Sequence, residues 1–74
     1  MADTGLWNQI KGKWDQVVGQ AQQRWGELTE NELQLLKGDR TELEGLIRER
    51  YGIAQEDAAH QIDEWVEQIK AQLK

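Results

Sequence analysis

Residues 24–52 read RWGELTENELQLLKGDRTELEGLIRERYG, and this stretch decides the fold. Thr29-x-x-Glu32 is a capping box: the Thr29 side chain can accept from a free backbone N–H while Glu32 reaches back to the N–H of Thr29. Leu28 before it and Leu33 after it occupy the positions of a hydrophobic staple. A short helix is therefore expected from 30 to 37, stopping at Gly38, where a residue without a Cβ ends a helix at low cost. Asp39-x-x-Glu42 reads as a second capping box. The helix it opens is expected to turn Leu43, Leu46, Ile47 and Tyr51 inward and to end at Gly52.

Reading outward toward the N-terminus, Trp7, Ile10, Trp14, Val17, Ala21 and Leu28 recur at steps of three, four and seven. That spacing places them on one stripe of an amphipathic helix expected over 5–25. Thr4 or Asp3 could cap its start, and Trp25-Gly26 is expected to end it, with Gly26 in a left-handed conformation. Toward the C-terminus, a last helix is expected to begin near Ala54 or Gln55. Ala58, Ile62, Trp65, Val66, Ile69 and Leu73 form its apolar stripe. The pattern also repeats. Lys11-Gly12, Gly19 and Arg24-Trp25-Gly26 recur 26 residues later as Lys37-Gly38, Gly45 and Arg50-Tyr51-Gly52. The expected fold is all-α: four helices in two α-hairpins packed crosswise with a pseudo-twofold repeat, since neither hairpin alone closes a core.

Composition bounds what such a fold can do. The chain has 74 residues and is expected to form one domain over 1–74. It has no Cys, which excludes a disulfide framework and thiolate zinc sites. No apolar run is long enough to span a membrane or to act as a signal peptide, so a cytoplasmic setting is expected. A chain this short buries only about 60% of the surface its unfolded form exposes. Its core must come from a few large side chains, and Trp7, Trp14, Trp25, Tyr51 and Trp65 are the expected ones. Residues 1–37 carry four basic and five acidic groups, whereas 38–74 carry five and nine, for a total of -5. An acidic domain repels phosphate backbones, which disfavours nucleic acid as a partner.

The residues Ile10-Lys11-Gly12-Lys13-Trp14 through Gly19, Arg24-Trp25-Gly26-Glu27-Leu28-Thr29, Leu36-Lys37-Gly38, Leu43-x-Gly45 and Arg50-Tyr51-Gly52 carry a resemblance to a known family. Over residues 7 to 66 the sequence resembles the CsbD-like proteins, a small bacterial family associated with general stress responses. The resemblance implies a four-helix domain of two crossed α-hairpins in a SAM-like arrangement. It brings a biological context without a reaction. Two features depart from the family pattern: Ala54, where a polar cap is expected, and the apolar extension to Leu73.

Candidate sites follow from the residue inventory. Gly12, Gly19 and Gly45 would each cost about 1 kcal/mol inside a helix. The favoured explanation is close backbone approach where the hairpins cross. The competing one is a helix kept loose for folding on a partner. Arg24 and Arg50, each just before a turn aromatic, read as helix C-terminal charge or, more sharply, as a pair of cations forming a partner surface. His60 is the only histidine and falls on a solvated face. Asp57-x-x-His60 lacks the second copy that a di-iron bundle needs. With no Ser or Cys, and with Thr4 and Thr29 at cap positions, no nucleophile is assembled. No catalytic residue, cofactor or metal is therefore expected. The expected role is a non-catalytic stress-response protein that binds a protein partner or protects other macromolecules. The alternative is a hydrophilin-like solvated protectant, and a weaker third is a nucleic-acid-binding helical domain.

Overall fold

The computed structural model describes residues 4–73, and the side chains of residues 5–72. Asp3 as a cap, the Thr4 side chain and the Leu73 side chain lie outside the described residues. Every regular element described is helical: α1 (Thr4–Gly12), α2 (Trp14–Arg24), α3 (Glu30–Leu35), α4 (Arg40–Tyr51), α5 (Gln55–Ile69) and a closing 3-10 turn (Lys70–Leu73).

The helix expected over 5–25 is two helices. Lys13 leaves helical geometry at φ -114°, ψ 27°. Its N–H is shared between the carbonyls of Gln9 and Ile10, both at 3.1 Å. The break lets two tryptophans satisfy separate partners. The Trp7 indole donates to the Gly38 carbonyl at 3.0 Å, and the Trp14 indole donates to the Leu33 carbonyl at 2.7 Å.

The middle stretch forms largely as its caps dictate, with three corrections. The Thr29 box is complete: Thr29 Oγ1 accepts from Glu32 N, and Glu32 Oε1 accepts from Thr29 N, each at 3.1 Å. The Asp39 box is one-sided. Asp39 accepts from Glu42 N at 3.1 Å, but its own N–H goes to the Leu36 carbonyl at 2.9 Å. Helix α3 ends at Leu35, short of the expected 37, because two successive left-handed residues turn the chain: Lys37 at φ 52° and Gly38 at φ 79°. Gly26 is not left-handed. The glycines with positive φ are Gly38 and Gly52. Helix α2 ends instead at Trp25 (φ -124°, ψ 81°), an extended step that carries the ring into the core. Gly52 caps α4 at φ 63° and returns its N–H to the Arg48 carbonyl at 2.8 Å. Helix α5 starts at Gln55, and its N-cap residue Ala54 supplies no side-chain hydrogen bond.

Tryptophans from three helices and one turn assemble the centre of the core. Trp65 packs edge-on against Trp14 (6.3 Å between centroids, 81°) and against Trp25 (5.3 Å, 62°). Half-buried Trp7 extends the row by touching Trp14 at 6.3 Å. Such pairs add about 0.5–1.5 kcal/mol each beyond the area they bury. Around them lie Ile10, Val17, Val18, Ala21, Leu28, Leu33, Leu36, Leu43, Ile47, Ala58, Ile62, Val66 and Ile69. Helix α2 packs on α3, and α4 packs on α5.

Two expectations about this core fail. Tyr51 is 39% exposed rather than inward. The inward face of α4 is carried by Leu43 and Ile47, and one turn later the helix ends. The phenol lies across the surface instead, its oxygen accepting from Glu27 N at 3.1 Å. Gly12, Gly19 and Gly45 do not mark a backbone crossing. A Cβ added at any of them would have no neighbour within 4 Å, and all three are exposed. The close approach occurs at Gly38, where an added Cβ would stand 3.1 Å from the Lys11 Cα.

Candidate functional site

The two arginines expected to act as a pair have separate partners. Arg24 lies at the end of α2 with its guanidinium 5.4 Å from the Trp25 ring centre. At an exposed position such a contact contributes about 0.5–1 kcal/mol. Arg50, in the last turn of α4, forms an ion pair with Glu32 of α3. The carboxylate that completes the Thr29 box is thus also a bridge between α3 and α4. His60 stands on the exposed face of α5, 3.6 Å from Glu64.

A third arginine, outside the sequence expectations, has the most polar contacts among the described arginines. Arg40 opens α4. Its Nε donates to Glu44 at 3.2 Å and its Nη2 to Asp63 of α5 at 2.7 Å. Its guanidinium also lies 5.8 Å from the Trp7 ring centre. It is largely shielded, with 21% of its side chain exposed, and its Nη1 is buried with no hydrogen-bond partner. The i,i+4 spacing of Arg40 and Glu44 was visible in the sequence, but Asp63 and Trp7 arrive from other helices. This cluster ties α1, α4 and α5 together and reads as structural. Among the described residues, Trp65 Nε1 is also buried with no hydrogen-bond partner.

Three of the recesses on the surface are lined by described residues. One is lined by Gln20, Gln23, Gln68 and Gln72 beside Arg24, with Gln20 and Gln72 hydrogen-bonded to each other. In another, the two Lys-Gly pairs of the repeat meet: Lys11 and Lys37 flank Trp14 and Val18, with Asp15 and Gln34 beside them. Lys11 and Lys37 also sit at the C-terminal ends of α1 and α3, where positive charge offsets the free carbonyls. The third recess lies between α3 and α4 and is lined by Glu32, Leu35, Leu36, Glu42 and Leu46. Leu35 is 77% exposed, the most exposed large apolar side chain described. Helix α3 with its C-cap holds Leu33, Leu35 and Leu36, and one short turn cannot point all three to one side. Leu33 and Leu36 face the core, and Leu35 is left outside. The leucine spacing in the sequence already carries that signal.

No helix among the described residues is long and apolar enough to cross a membrane. Among the same residues, no group of three or more His, Asp or Glu is placed to hold a metal ion.

The arrangement defines a small all-helical protein with a tryptophan-centred core, a fully boxed α3 and a Gly-capped α4. The sequence model of the CsbD-like family matches residues 8–60. The chain belongs to that family. The matched range contains the Lys-Gly pairs, both arginine–aromatic–glycine turns and the Leu35 recess, and it ends within α5. Searches among curated proteins and among solved structures return no match.

Proposed function

We propose that this chain is a cytoplasmic general stress-response protein that acts without catalysis, as a folded domain that binds a protein partner or shields other macromolecules. Membership of the CsbD-like family carries this reading. Two features support the folded form over a solvated one. The tryptophans meet in defined edge-on pairs, and Leu35 presents apolar surface above an otherwise closed core. The proposal includes two hairpins, α2–α3 and α4–α5, related by the 26-residue repeat. The packing of α2 on α3 and of α4 on α5 supports that pairing.

A hydrophilin-like protectant is the second reading. Mean hydropathy of -0.86 favours it. So do three exposed glycines that no packing requires. Heat aggregation of a reporter enzyme separates the two. The Trp14→Ala variant should lose its fold, because truncating a buried aromatic costs about 3–5 kcal/mol. If shielding depends on the folded domain, wild type suppresses aggregation and the variant does not. Equal suppression by both transfers the function to the solvated chain.

A further inference from the structure

Side chains link the segment 27–36 to helix α4 in opposite sequence order. The Tyr51 oxygen accepts from Glu27 N, Arg50 pairs with Glu32, and Leu46 lines one recess with Leu35 and Leu36. The Arg50–Glu32 bridge closes one end of the recess. At the other end stands Glu42, one turn before Leu46 on α4. Its backbone N–H is held by Asp39, and its carboxylate forms no ion pair with a described residue.

We propose that this α3–α4 groove is a docking site for a short basic amphipathic segment of a partner protein, which seats an apolar side chain between Leu35 and Leu46 and places Lys or Arg beside Glu42. The proposal rests on the partner-binding reading above and names its surface. The recess measures about 240 Å³. That falls below the roughly 300–1,000 Å³ of small-molecule sites and is closer to the size of an inserted side chain. Its floor is leucine and its charged lining is Glu32 and Glu42. Glu32 is already neutralised by Arg50, so the uncompensated charge is that of Glu42. Charge complementarity therefore selects a cationic occupant. It also disfavours a second copy of this chain. A twofold pairing through this groove would set the glutamates of one copy against those of the other, in a protein that already carries -5.

The test is an NMR titration of the full ¹⁵N-labelled chain with a synthetic helical peptide of leucines along one face and lysines along the other. Two control peptides replace its lysines by glutamates, or its leucines by serines. The expected result is saturable shifts confined to residues 32–36 and 42–46, with neither control binding comparably. Leu35→Gln should weaken binding by about tenfold or more, the worth of one buried leucine. Because Leu35 is exposed, that variant should keep the wild-type spectrum elsewhere. Glu42→Lys should weaken binding severalfold, by an amount that shrinks as salt is added. Equal affinity in the Leu35→Gln variant, or shifts located at the Lys11 or Arg24 recesses, overturns this groove and leaves partner binding by the folded domain standing. Shifts at Leu35 that depend on protein concentration alone overturn the basic segment in favour of a second copy. Equally tight binding by the unfolded Trp14→Ala chain overturns the groove and the folded-domain reading together.

Discussion

The two copies of the 26-residue pattern can be laid against each other position by position, and they do different physical work. Trp25 is 1% exposed, whereas its counterpart Tyr51 is 39% exposed. The tryptophan leaves its helix in an extended step and packs on Trp65, with its indole donating to Gln61 at 2.9 Å. The tyrosine stays on the last helical turn and bridges the surface. Gly52 is left-handed and caps a helix, while its counterpart Gly26 is not left-handed. Gly38 is buried against Lys11, while Gly12 faces open space. The lesson is that a repeat transmits the order of helices and turns. Burial is decided afterwards by which copy meets the other elements.

This asymmetry is open to direct attack. Truncating the two aromatics should give the largest contrast. Trp25→Ala should cost about 3–5 kcal/mol, enough to unfold most molecules of so small a domain. Tyr51→Ala should cost less than about 1.5 kcal/mol, the loss of one exposed hydrogen bond and partial packing. Urea melts followed by circular dichroism read both. Equal losses would mean that the copies are equivalent and that Tyr51 belongs to the core.

A smaller contrast lies in the paired glycines. Gly38→Ala should destabilise by roughly 1–3 kcal/mol, through the left-handed backbone and the approach of Lys11. Gly12→Ala should be neutral or stabilise by up to about 1 kcal/mol, since alanine suits the helix better and has nothing to strike. The thermal midpoint of Gly38→Ala should fall while that of Gly12→Ala holds or rises. A shared fall would restore Gly12 to a packing role. The smallest effect is expected at Gly19 and Gly45. Alanine at each should raise stability by about 1 kcal/mol or less, without shifting the aromatic signals of the core. A fall at either position would revive the backbone crossing.

Much of the fold was legible because its signals are local. The Thr29–Glu32 box, the Gly52 stop and the stripe Ala58–Ile62–Trp65–Val66–Ile69 depend on residues within a turn or two of one another, and the helices follow them. Features decided at a distance were not legible. The apolar stripe ran unbroken through Lys13, because the reason for a break there is the separate anchoring of Trp7 on Gly38 and Trp14 on Leu33. The seven-residue glycine spacing suggested crossing helices, yet spacing along one helix says nothing about what stands opposite it. The site readings divide the same way. Arg24 and Arg50 were visible as a repeated pair, but their actual neighbours, Trp25 and Glu32, do not bring them together. Arg40 drew no notice because Asp63 and Trp7 come from elsewhere in the chain. Leu35 is legible as the one of three leucines in α3 and its cap, Leu33, Leu35 and Leu36, that must face outward.

The proposed role of this CsbD-like chain requires a folded domain with one packed tryptophan core. A ¹H–¹⁵N correlation spectrum of the isolated protein near room temperature reads that core residue by residue. The four Trp residues supply four indole N–H signals. Four sharp, dispersed indole peaks are expected, with the Trp14 signal exchanging slowly because its N–H is buried on the Leu33 carbonyl. Indole peaks collapsed to one position and exchanging at the rate of free tryptophan would contradict the packed core.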